Sequence, residues 1–172
     1  MEPQTTTTRT ALKYGLIFGV VSIIYSTMLF VTGQVSSSWA SWLIFAISIT
    51  GMVLAMKAFR DENGGFMSYG QGLGIGTTLA VVSSFISTTY SLIYTQFIDT
   101  TINQQILDKT RTDMENRGME DAQIDQAMAF SEKIMSPGLS FGVSIVAAAI
   151  FGFIISLVVS AIMKKEKPFE LE

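Results

Sequence analysis

The sequence predicts an all-α integral membrane protein: a four-helix bundle with an extracytoplasmic amphipathic helical segment between spans three and four. Three observations carry this expectation. Charged residues make up 15% of the 172 positions and apolar ones 49%, whereas soluble domains average about 25% charged. The charges are also segregated, with none between Lys13 and Lys57, between Glu62 and Asp99, or between Lys133 and Lys164. A soluble helix keeps a charged face towards water. Stretches this long without a charge have no such face, so their solvent is lipid.

A helix needs roughly 20 apolar residues to cross a hydrocarbon core of about 30 Å. Spans are therefore expected at residues 12–31, 41–58, 72–97 and 137–163, all within a single transmembrane domain over 1–172. The first uncharged stretch must hold two spans, because Thr32-Gly33-Gln34-Val35-Ser36-Ser37-Ser38 interrupts it with turn-forming residues. Ser38-Trp39-Ala40 has the small residues of a signal cleavage site, but the preceding apolar run exceeds the length of a signal h-region. The first span is accordingly expected to stay uncleaved.

Boundary signals agree with this division. Trp39 and Trp42 stand where an aromatic belt would mark one interface, and Tyr14 and Tyr69 where it would mark the other. Asn63-Gly64-Gly65 is a turn signal after the second span. Ser136-Pro137 reads as an N-cap followed by proline at the first helical position. Four spans put Arg9, Lys13, Lys57, Arg60, Lys164, Lys165 and Lys167 on one side. Lys109, Arg111, Arg117 and Lys133 lie on the other, diluted by acidic residues. The excess of positive charge predicts that both termini are cytoplasmic.

Between spans three and four, Ile98, Ile102, Ile106 and Leu107 recur at helical spacing, as do Ile124, Ala127, Met128 and Ile134. Gly118, in Asn116-Arg117-Gly118, suits a left-handed helix end between them. Two amphipathic helices are expected over 99–136, either as a solvated extension of the spans or as a cap for a partner. Their carboxylates do not fall at the alternating ligand positions of a calcium-binding loop.

The chain has no histidine and no cysteine, which removes the commonest general base, metal ligand and thiol nucleophile. Gly138-Leu139-Ser140-Phe141-Gly142 matches a nucleophile elbow in letters only, since that elbow needs a strand-to-helix turn and a histidine. The reading is non-enzymatic, with no catalytic residue, cofactor or metal site, and with the lipid bilayer rather than nucleic acid as its surroundings. Glycines four apart let membrane helices approach closely. Gly15/Gly19, Gly70/Gly74, Gly72/Gly76 and Gly138/Gly142 have that spacing, within one chain or against a second copy or another membrane protein. Tyr14-Gly15 with Gly19 also parallels Tyr69-Gly70 with Gly74, a hint of two tandem hairpins.

The third span carries a stripe of small residues: Gly72, Gly76, Ala80, Ser83, Ser87 and Ser91, widened by Ser84, Thr88 and Gln96. Serine can bond its own helix carbonyls, so the stripe reads either as a packed seam or as a solute pathway. No ionisable residue lies deep in the spans, where ion-coupled carriers place one.

The run Asn63-Gly64-Gly65-Phe66-Met67-Ser68-Tyr69-Gly70-Gln71-Gly72-Leu73-Gly74-Ile75-Gly76 resembles the bacterial membrane family catalogued as domain of unknown function 4199. The resemblance continues through the serine-rich third span, Gly118-Met119 and Ser136-Pro137, from about Thr10 to Met163. It implies a four-span inner-membrane protein of Bacteroidetes type and supplies no catalytic or binding residue. The functional expectation is a non-enzymatic accessory or scaffold protein whose acidic helices meet a partner. The alternative is a small oligomeric transporter or channel using the serine stripe.

Overall fold

The computed structural model describes residues 6–166; Lys167, counted above in the terminal cluster, lies outside the described residues. The elements are α1 (Thr7–Val31), α2 (Ser38–Glu62), α3 (Tyr69–Ile93), α4 (Ile102–Asn116), α5 (Asp121–Ile134) and α6 (Pro137–Met163). A π-helical turn, Tyr94–Ile98, prolongs α3. Four of these helices are long and apolar enough to cross a membrane, α3 counting through its π turn as Tyr69–Ile98. The chain is thus an all-α membrane-type helical protein.

α1 and α3 start earlier than the hydropathy pattern alone suggests, because polar residues cap them outside the apolar run, whereas α6 begins at the expected Pro137. Thr6 accepts a hydrogen bond from the Arg9 amide at the start of α1. Ser68 and Gln71 form a reciprocal capping box at the start of α3. At α6 the expected cap is different: Ser136 precedes Pro137, but its hydroxyl donates back to the Lys133 carbonyl, 2.8 Å away. Gly33 and Gly118 hold positive φ at the two predicted breaks, 65° and 73°.

α3 is the central helix, packed lengthwise against α1 on one side and α6 on the other. α2 completes the bundle. At the end carrying Thr6 and Glu166, here called proximal, the buried core holds Met52, Met56, Phe59, Met67, Ile75 and Leu79. Met67 and Lys165 exchange two backbone hydrogen bonds of 2.9 Å, tying the α2–α3 loop to the residues after α6. Large apolar side chains such as Leu16, Ile24, Val146 and Ile162 face outwards, as lipid-facing surface does.

The opposite, distal end carries α4 and α5 as an antiparallel pair. Ile102, Ile124 and Met128 are buried there, and Arg111 on α4 reaches Asp125 on α5 at 3.3 Å. The apolar stripes therefore serve the fold itself. Ile98, grouped with that stripe by spacing, instead ends the π turn and stays exposed. Asp99 accepts hydrogen bonds from the Thr101 hydroxyl (2.7 Å) and amide (3.0 Å), which hold its carboxyl below the usual carboxylate range.

Candidate binding cavity

The small-residue stripe of α3 divides into two parts with different surroundings. Its proximal part is a seam against α6. A Cβ added at Gly72 would lie 2.5 Å from Ser160 Oγ, one at Gly76 would overlap Ser156 Oγ, and Ala80 meets Gly152. Ser156 and Ser160 are fully buried, and each directs its hydroxyl at a methionine sulfur of α2, Met52 at 3.7 Å and Met56 at 3.9 Å. Methionine sulfur is a weak acceptor on a flexible stem that fills irregular gaps. Three helices thus close without leaving room for water.

Of the four glycine pairs, two pack inside the chain. Gly15 faces Val82 and Gly19 faces Ile86 across the α1–α3 contact, while Gly72/Gly76 form the α3–α6 seam. Gly70/Gly74 and Gly138/Gly142 have nothing within 4 Å of an added Cβ. The parallel between the two tyrosine–glycine motifs therefore does not extend to their packing.

The distal part of the stripe opens. Ser83, Ser87 and Ser91 line a cavity of about 640 Å³ whose walls come from α1, α2, α3 and α6 and whose distal side is covered by α4. That volume falls in the range of about 300–1,000 Å³ typical of small-molecule sites. Met52, Leu79, Ala80, Gly152 and Ile155 form its floor, so the cavity ends where the seam begins.

Its chemistry is uncharged. No acidic, basic or histidine side chain lines it. Some lining hydroxyls are occupied within the protein: Ser84 donates to the Ser144 carbonyl at 3.4 Å and Thr95 to Ser91 at 2.9 Å. Ser140, from the apparent nucleophile elbow, donates to Pro137 at 3.1 Å and has no base beside it. Others line the cavity with no side-chain hydrogen bond among the described residues: Ser22 and Ser26 on α1, Ser41 on α2, Ser83, Thr88 and Ser91 on α3, and Ser144 on α6. Ser22 is only 9% exposed. A hydroxyl without a protein partner keeps its donor and acceptor capacity for whatever it meets, so several lining one cavity mark a place for hydrogen-bonding contents.

The α3 stripe located one wall of this cavity, and sequence reasoning missed the others. Ser22 and Ser26 continue the face of Gly15 and Gly19 at helical steps of three and four, a signal that was available. Ser41 and Ser144 had none, since the separation of α2 from α6 decides that they border the cavity. Gln96, grouped with the stripe, is exposed and does not line the cavity.

Among the described residues, no cluster of three histidine, cysteine, aspartate or glutamate side chains suited to a metal ion occurs. Searches of curated proteins and of solved structures find no match. The family described as Protein of unknown function (DUF4199) matches residues 13–165, and by that coverage the chain belongs to it.

Proposed function

We propose that this chain is a non-enzymatic accessory protein of the bacterial inner membrane that holds an uncharged, hydrogen-bonding molecule in its serine-walled cavity. The observation that carries the reading is the convergence of unpartnered hydroxyls from all four spanning helices on one cavity. A cavity without titratable groups offers no acid, base or nucleophile–base pair, and this favours binding over catalysis. Arg9, Lys13, Lys57, Arg60, Lys164 and Lys165 gather at the proximal end, which supports cytoplasmic termini and an outward α4–α5 pair. The open Gly70/Gly74 and Gly138/Gly142 pairs suit close packing against a second copy or another membrane protein.

A second reading, an oligomeric transporter, draws on the methionine seal. Met52 and Met56 close the proximal side with flexible side chains, and their rearrangement would convert the one-sided cavity into a path.

Single cysteines test the binding reading, because the chain has none of its own. Ser22→Cys, Ser83→Cys and Ser91→Cys in membranes should react with N-ethylmaleimide, while Ser156→Cys, fully buried in the seam, should stay silent. Silence at all four positions would refute an accessible site. Reaction at Ser156 as well would favour the transport path.

A further inference from the structure

Four helix–helix contacts and the distal end decide how the cavity is reached, and three of the contacts and the distal end are closed at the level of the cavity. Between α1 and α2, the Phe18 ring lies on Gly51 and the Tyr25 hydroxyl donates to the Ala40 carbonyl at 2.7 Å. Between α1 and α3, Ile86 covers Gly19, and Phe30 stacks on Tyr94 with ring centroids 4.8 Å apart. Between α3 and α6, Ser84 bonds to Ser144, and Phe85 meets Phe141 edge-on at 5.4 Å. The distal end is covered by the first turns of α4, where Ile102 is 1% exposed.

The contact between α2 and α6 differs. These helices meet through Met52 and Ser156 and through Met56 and Ser160. Among the described residues, no hydrogen bond or ring contact joins them on the distal side of Met52. There α2 leans onto α1 while α6 stays on α3. Phe45 of α2 and Phe151 of α6 both line the cavity, yet they are 45% and 63% exposed. Their exposure marks an opening of the cavity between these two helices, both of them long and apolar enough to cross a membrane.

Resting on the binding reading above, we infer that the occupant is a neutral lipid carrying hydroxyl or carbonyl groups, and that it enters sideways between α2 and α6 past Phe45 and Phe151. A charged headgroup has no counter-charge in this cavity and would be desolvated at a large penalty. An apolar chain with uncharged hydrogen-bonding groups satisfies both the aromatic mouth and the free hydroxyls of Ser22, Ser83 and Ser91. A purely aqueous solute would have to pass beneath α4 at the covered distal end.

The full chain with Trp39→Phe and Trp42→Phe supplies a tryptophan-free background. Ser87→Trp then reports from the cavity wall and Val146→Trp from the lipid-facing surface, where Val146 is 59% exposed. Each is reconstituted in phosphatidylcholine vesicles containing a diacylglycerol with brominated acyl chains, an uncharged lipid with hydroxyl and carbonyl groups, and separately exposed to aqueous iodide. The brominated lipid should quench Ser87→Trp at least half as much as Val146→Trp. Weaker quenching overturns lateral entry. Iodide quenching alone leaves the binding cavity standing with an aqueous route, whereas the failure of both quenchers removes the cavity as well. If Ser87→Trp does not insert, Ile44→Trp reads the same space from the opposite wall.

Discussion

The proximal and distal halves of the bundle are built from the same four helices and similar small residues, yet they meet opposite ends. In the proximal half, glycine on α3 faces serine on α6, and every serine hydroxyl in the seam points at a methionine. In the distal half, serine on α3 faces serine on the other helices, and the helices have moved apart around a cavity. The difference lies in what stands opposite each small residue. Close approach in lipid depends on van der Waals contact, because no hydrophobic force separates helix from lipid tail. A glycine opposite a small side chain permits that contact. Hydroxyls such as those of Ser22, Ser83 and Ser91, which find no partner on a facing helix, border space that a hydrogen-bonding occupant can fill.

The sharpest way to break this comparison is to place leucine on both faces of α3. Gly76→Leu should abolish or severely weaken the folded protein, by about 3 kcal/mol or more, because even a Cβ there overlaps Ser156 Oγ. Gly74→Leu, two residues away with nothing within 4 Å, should fold as well as the parent. Thermal unfolding in detergent reads both, and equal losses would mean that the α3–α6 seam is placed wrongly.

A smaller effect is expected at Tyr25→Phe. It removes a buried hydrogen bond to the Ala40 carbonyl and should lower stability by about 1–2 kcal/mol. Because that bond holds the distal end of α2 against α1, N-ethylmaleimide labelling at Ser83→Cys should change with it. Unchanged labelling would show that α2 is positioned by other contacts.

Smaller still is Arg111→Ala, which removes the half-exposed pairs to Glu115 and Asp125. Exposed pairs contribute about 0–1 kcal/mol, so a shift in the melting temperature should be slight and should shrink further in high salt.

The least effect belongs to Asp99. Its folded carboxyl is held below the ordinary value by Thr101, so the folded chain binds that proton less readily than the unfolded one. The stabilisation is complete above the unfolded value and is lost as pH falls through the lowered folded value. Asp99→Asn should flatten only that acid portion of the stability profile. A flattening at neutral pH would assign the effect to another group.

Several features were legible in the sequence for direct physical reasons. Uncharged stretches identified the spans, because charge is the property lipid excludes most strongly. Gly33, Gly64, Gly65 and Gly118 marked turns, and each has positive φ. The π turn Tyr94–Ile98 left no such mark, since the residues that form it would suit an α-helix equally.

Membrane character, four spanning helices, the helical pair between the last two and the family follow from local residue properties: charge, apolar length, turn chemistry and motif. Which glycines pack, and whether a serine is sealed or open, depend on the residue opposite. Gly70/Gly74 and Gly72/Gly76 have the same spacing on the same helix, yet one pair is free and the other buried. Helical periodicity defines faces but does not say which face meets which neighbour. The tertiary structure decided that by drawing α2 onto α6 through Met52 and Met56 and letting them part beyond, which turned half of a uniform-looking stripe into the wall of a cavity.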